Sequence, residues 1–156
     1  MPSIQVGQHA PDLTAETHDG RHFALSELHG QKVVVLFFYP GDETPVCTAE
    51  ACAFRDAYTS FTDAGAVVVG VSADSLDSHR KFAANHRLPF LMLSDADGQI
   101  RRAFGVPKTL GIFPGRVTYV IDKQGVVRHI FSSQLAASRH VAEALKIVEQ
   151  LSRDTA

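Results

Sequence analysis

The sequence predicts an α/β fold, a central mixed sheet with helices on both faces and an N-terminal β-hairpin. Three features predict it. Residues 33–39 (VVVLFFY) and 66–72 (AVVVGVS) are apolar throughout rather than alternating, as in strands buried on both faces. Helix-patterned segments follow each of these runs. Two more strand-like runs joined by a glycine turn then precede a final amphipathic helix, so the layers stack sheet against helix.

Taken in order, residues 13–17 and 22–25 flank Asp19-Gly20, a hairpin turn signal. Residues 26–30 read as a helical turn stopped by Gly30. After the strand at 33–39 comes a loop, Pro40-Gly41-Asp42-Glu43. Thr44 is a candidate N-cap with Pro45 at N1 and Cys47 at N3. A helix is expected over 45–62, with Gly65 as its stop. Ser75 can cap a helix running to His86, which Pro89 prevents from going much further. A short strand at 90–94, the Asp97-Gly98 turn and a short helix at 99–104 follow. Residues 105–115 are rich in Gly and Pro and read as loop. Strands at 116–122 and 126–131 are joined by Lys123-Gln124-Gly125, and Val141, Leu145, Val148 and Leu151 form one stripe of the last helix.

The 156 residues suit a single domain, 1–156, with enough chain for a core that needs no staples. A net charge of −2 with dispersed Lys and Arg argues against a nucleic-acid or membrane-surface binder. The longest apolar run, 33–39, is far short of the roughly 18–20 residues that cross a bilayer. The first residues lack the basic and apolar regions of a leader, so the expected setting is the cytoplasm. Two cysteines are too few for a disulfide scaffold or a cysteine-only zinc site.

Those cysteines, Cys47 and Cys52, carry the chemistry. Cys47 falls where a buried strand gives way to a helix, the end of an α/β sheet at which sites form. A helix N-terminus offers unpaired N–H groups and a positive dipole end, both of which favour a thiolate. Asp42 and Glu43 oppose this, so a cation is expected from elsewhere in the chain. Five residues of helix give about 7.5 Å of rise and about 140° of rotation. The Cα atoms then lie about 8–9 Å apart, beyond the ~7 Å that a disulfide tolerates. Either the pair never bonds, or bonding requires the first turns of the helix to unwind.

Residues 39–50 (YPGDETPVCTAE) and 51–56 (ACAFRD) resemble the active-site segment of peroxiredoxins, most closely the bacterioferritin comigratory protein or Q-type subfamily. Pro40, Thr44 and Cys47 fit the family's Pro-x3-Thr-x2-Cys pattern, and Cys52 fits the subfamily's resolving position. The likeness runs from residues 6–12 (VGQHAPD) to the last helix. It implies a thioredoxin-like fold and reduction of hydrogen peroxide and organic hydroperoxides without metal or organic cofactor. By the same resemblance, Cys47 becomes a sulfenic acid, Cys52 condenses with it to a disulfide, and thioredoxin or a similar dithiol restores both thiols. Arg116 matches the active-site arginine, which would offset Asp42 and Glu43. Glu50 matches the acid that orients it, Thr44 helps stabilise charge on the peroxide oxygens, and Pro40 shields the thiolate. A monomer is the common state of such proteins. Two positions depart from the pattern: Val46 replaces the usual glycine, which should stiffen the helix start, and Gly41 replaces a loop lysine.

The remaining signals are weaker. His18 and His22 straddle the first turn, but neither lies near Cys47 in sequence, and a spacing of five does not suit a rigid cysteine chelate for metal delivery. Arg55 and Asp56 read as a packing pair, Phe37 and Phe38 as core, and Arg101-Arg102 as a basic step without nucleic-acid character. A thiol sensor on the same fold, signalling oxidation without turnover, is the alternative to an enzyme.

Overall fold

The computed structural model describes residues 3–106 and 115–154. Most of the expected 105–115 loop therefore lies outside the described residues. A hairpin pairs β1 (Thr14–Glu16) with β2 (His22–Ala24), and a 3-10 turn at Leu25–Leu28 leads into the main sheet. That sheet contains β3 (Val33–Phe38), β4 (Ala66–Ser72), β5 (Leu91–Ser94), β6 (Val117–Ile121) and β7 (Val127–Ser132), in the order β5-β4-β3-β6-β7. The β3–β4 and β4–β5 pairs are parallel, and β6 and β7 run antiparallel, so the sheet is mixed as expected.

Alternation along β3 separates two cores. Val33, Val35, Phe37 and Tyr39 face one side, where they meet α1 (Pro45–Asp56), α2 (Tyr58–Asp63), α3 (Leu76–His86) and α5 (Ala137–Asp154). Val34, Leu36 and Phe38 face the other, against Phe23 of the hairpin and Ile100 and Phe104 of α4 (Gln99–Phe104). Both faces of the strand are buried, which is why its sequence is apolar at every position.

The helix expected over 45–62 is broken. It ends at Asp56, resumes at Tyr58, and Ala57 between them leaves the helical region at φ −95° and ψ 3°. The break leaves the cysteine-bearing helix a separate twelve-residue element. By contrast, α3 follows its signals: Ser75 Oγ accepts from Ser78 N at 3.1 Å, and Arg87 closes the helix in the left-handed region. Arg55 ties α1 to α3 through the His86 carbonyl at 2.8 Å, besides its contact with Asp56.

Phe37 fixes how α1 sits on the sheet. Its ring stacks on Phe54 of α1 at 4.5 Å between centroids and meets Phe90 edge-on at 5.6 Å. It fits because its sheet partner is Gly70, where a Cβ would lie 2.8 Å from Phe37 Cζ and 3.1 Å from Met92. Gly70→Ala is therefore expected to lower stability by about 1–3 kcal/mol through overpacking. Denaturant unfolding checks this, and an unchanged midpoint would contradict it.

Candidate active site

Cys47 is placed by the join between β3 and α1. Tyr39 still pairs with β4, its N–H donating to Val71 O at 3.0 Å, and half-buried Pro40 turns the chain off the sheet. Pro45, lacking an N–H, opens α1, and Cys47 sits at its third position with 1% exposure. Thr44 takes the N-cap position, but its hydroxyl makes no cap bond; it donates back to Gly41 O at 2.8 Å. The capping role expected of this side chain is thus not realised, and its hydroxyl stays on the exposed loop.

The cation comes from the start of β6. Phe38 pairs with Val117, so Arg116 emerges beside the end of β3. Val120 points into the α1 and α5 core, and alternation sends Thr118 and Arg116 the same way. The guanidinium is 4% exposed, and each of its three nitrogens makes one bond. Nη2 donates to Cys47 Sγ at 3.2 Å, Nη1 to Glu50 Oε1 at 2.7 Å, and Nε to Gln134 O at 3.0 Å. Glu50, one turn along α1 from Cys47, is fully buried. Burial pushes its carboxyl up to about 7, against the pull of Arg116. Behind Glu50 stands His140 of α5, also fully buried, with Nδ1 2.8 Å from Thr118 Oγ1 and Nε2 2.8 Å from Ser133 O. Cys52 is half-buried farther along the same unbroken helix, and both cysteines are free thiols.

Residues 6–130 match the AhpC/TSA family. The chloroplastic peroxiredoxin Q of Triticum aestivum is 48% identical over 95% of this chain and 68% of its own length. Among solved structures, peroxidoxin BcpB of Mycobacterium tuberculosis superposes with a TM-score of 0.86 at 36% identity, covering 95% of this chain and 98% of that one. The bacterioferritin comigratory protein of Xanthomonas campestris, described for alkyl peroxide reduction, gives 0.77 at 31% identity over 86% of this chain and 90% of that one.

The chain belongs to the AhpC/TSA family. It is a peroxiredoxin of the Q, or bacterioferritin comigratory protein, type and hence a thiol-dependent peroxidase with a thioredoxin fold. Peroxide substrates and a thiol reductant follow from the family. The cytoplasmic setting expected above is contradicted by the plant relatives, which are chloroplastic. The expectation rested on the first residues alone, and the dithiol chemistry works wherever a reductant is supplied. Among the described residues, no helix is long and apolar enough to cross a membrane, and no group of three or more His, Cys, Asp or Glu is arranged to hold a metal ion. His18 Nδ1 instead accepts the Met92 N–H at 3.2 Å.

The acidic loop of this peroxiredoxin differs from expectation. Asp42 and Glu43 are not compensated by Arg116; they are turned toward α3. Asp42 Oδ2 lies 2.7 Å from His79 Nδ1 and accepts from Ser78 Oγ at 2.8 Å, while Oδ1 accepts from Tyr39 OH at 2.6 Å. His79 Nε2 rests on Leu93 O at 2.9 Å. Glu43, at φ 61°, reaches Asn85 and His86, each at 2.7 Å. Sequence reasoning also missed Arg101, whose Nη1 and Nη2 donate to Gly115 O and Tyr39 O and whose guanidinium lies 5.6 Å over Phe38. Burial lowers the Arg101 value, while Asp95, Tyr119 and Cys47 oppose that, so a second positive charge lies within electrostatic reach of the sulfur.

Burial pushes the Asp42 carboxyl up, but the bonds from His79, Tyr39 and Ser78 outweigh it and hold Asp42 below its ordinary value. A carboxylate depressed by folding contributes fully at neutral pH and loses that contribution as pH falls through its folded value. Asp42→Asn should cost about 1–3 kcal/mol at neutral pH. It should also flatten the acid-side decline of stability below the usual carboxylate range. Parallel acid-side curves for variant and wild type would refute this.

Proposed function

We propose that Cys47 is the peroxidatic thiol, Cys52 the resolving thiol, and thioredoxin or a similar dithiol the reductant. The observation that carries this reading is the 3.2 Å bond from buried Arg116 Nη2 to Cys47 Sγ at the start of a helix. A guanidinium fork holds an anionic sulfur and keeps N–H density directed at an adjacent peroxide oxygen.

The thiolate attacks one peroxide oxygen, the S–O bond forms and the O–O bond breaks. Sulfur is oxidised to sulfenic acid, and the other oxygen leaves as hydroxide or alkoxide and takes a proton. Arg116 offsets the charge developing on that oxygen. Pro40 covers the sulfur from the loop side, and Thr44 presents its hydroxyl at the mouth, where rotation away from Gly41 O would aim it at the substrate. Glu50 holds the orientation of Arg116. The alkyl peroxide reduction described for the Xanthomonas relative supports organic hydroperoxides as substrates beside hydrogen peroxide.

Resolution requires α1 to open. Thr44 supplies no side-chain cap, so the first turn lacks one stabilising bond. Once that turn unwinds, the Cys52 thiol displaces water from the sulfenic acid and forms the disulfide, which exchange with an external dithiol reduces. Cys47 and Glu50 on α1, Arg116 beside β6 and His140 on α5 meet around one sheet, which supports a single domain over 1–156; a monomer is the state the resemblance implies.

Cys47→Ser should abolish peroxide reduction. Cys52→Ser should still form one equivalent of sulfenic acid on Cys47 but lose NADPH oxidation coupled through thioredoxin and its reductase. Normal thioredoxin-coupled cycling of Cys52→Ser would remove Cys52 from the mechanism.

A further inference from the structure

Arg116 brings one buried positive charge to two acidic groups. Its Nη2 meets Cys47 Sγ and its Nη1 meets Glu50 Oε1. A thiolate and a carboxylate on the same guanidinium would leave an uncompensated negative charge away from water, which is costly. Among the described residues, no charged group other than Arg116 touches Glu50. Arg101 lies toward the sulfur and is opposed by Asp95.

The second oxygen of Glu50 shows how the excess is handled. Oε2 is buried, has no hydrogen-bond partner among the described residues, and stands 3.4 Å from His140 Nδ1. Ser133 O can only accept, so the His140 ring carries its hydrogen on Nε2 and leaves Nδ1 as a lone pair. Thr118 Oγ1–H already points at that lone pair. The ring stays neutral: burial lowers His140 to about 4, the Ser133 bond opposes this, and Arg116 adds to it. The His140 ring also meets Phe131 at 85°, with centroids 4.7 Å apart. Nδ1 is thus taken by Thr118, Oε2 has no donor in reach among the described residues, and a proton on Oε2 removes the charge that nothing there answers.

We propose that Glu50 carries a proton on Oε2 while Cys47 is a thiolate, and that it gives up this proton when the sulfur is oxidised. The balance closes. Thiolate, hydroperoxide and neutral Glu50 become sulfenic acid, alcohol or water, and ionised Glu50. Sulfur loses the two electrons that the O–O bond gains, and the proton needed by the leaving oxygen equals the one Glu50 releases. Arg116 faces one anion before the step and one after it.

The inference rests on the peroxidatic role of Cys47, and the test separates the two. With the sulfur uncharged, Glu50 titrates at about 7; a neighbouring thiolate pushes it higher. Infrared difference spectra of Cys52→Ser, before and after one equivalent of hydrogen peroxide, are recorded about one pH unit above that value. The expected result is loss of one protonated-carboxyl C=O band as sulfenic acid appears, and absence of that band when Glu50→Gln is added. Sulfenic acid formation with no carboxyl band lost, or a band surviving in Glu50→Gln, would overturn the inference. No sulfenic acid at all would overturn the peroxidatic assignment beneath it.

Discussion

The buried guanidinium of Arg116 is the constraint around which the other parts of the site are arranged. A charge at this depth costs several kcal/mol unless it is paired and its donors are satisfied. Each donating nitrogen of Arg116 has an acceptor, on Cys47, Glu50 and Gln134. Those acceptors come from α1 and from the segment between β7 and α5, so the arginine fixes how both pack on the sheet. The antiparallel pairing of β3 with β6 sets its position, and strand alternation sets its direction. A slip of one residue in that pairing would send the charge to the opposite core.

A second polar system keeps the loop charges away from the sulfur. Asp42 is taken up by His79, Ser78 and Tyr39, and Glu43 by Asn85 and His86, all but Tyr39 on α3. Anchoring both carboxylates on this helix leaves Arg116 for the sulfur and Glu50, and it pins the loop that carries Pro40 and Thr44. The reactive end of α1 is therefore held from two sides, by α3 through the loop and by Arg116 through its bonds to Cys47 and Glu50. The first turn of α1 itself lacks a side-chain cap, so the part that must open is less firmly held than its surroundings.

Much of this was legible in the sequence, for identifiable reasons. The doubly buried β3 and β4, the Ser75-capped α3 and the short α4 follow local rules and appear where those rules put them. The break at Ala57 had no local signal, because nothing between 45 and 62 disfavours helix strongly. Arg116 could be paired with Cys47 only through a family pattern, since the two are 69 positions apart and meet by strand pairing. The direction of Asp42 and Glu43 was not legible at all. It depends on a left-handed turn at Glu43 and on histidines some 40 residues away. His140 did leave a trace: it shares helical spacing with buried Ala144, Val148 and Leu151, which marks an imidazole on a core-facing stripe.

In the proposed reaction Arg116 does two things at once: it holds the Cys47 sulfur as an anion and receives charge on the departing oxygen. Arg116→Lys separates them, because it keeps a positive charge but loses the fork. The direct measurement compares the rates at which Cys47 reacts with hydrogen peroxide and with iodoacetamide, whose alkylation needs the thiolate but no oxygen stabilisation. The account predicts that the peroxide rate falls about 100-fold or more, with a far smaller change in alkylation. An equal fall in both rates, or no fall in the peroxide rate, would contradict it.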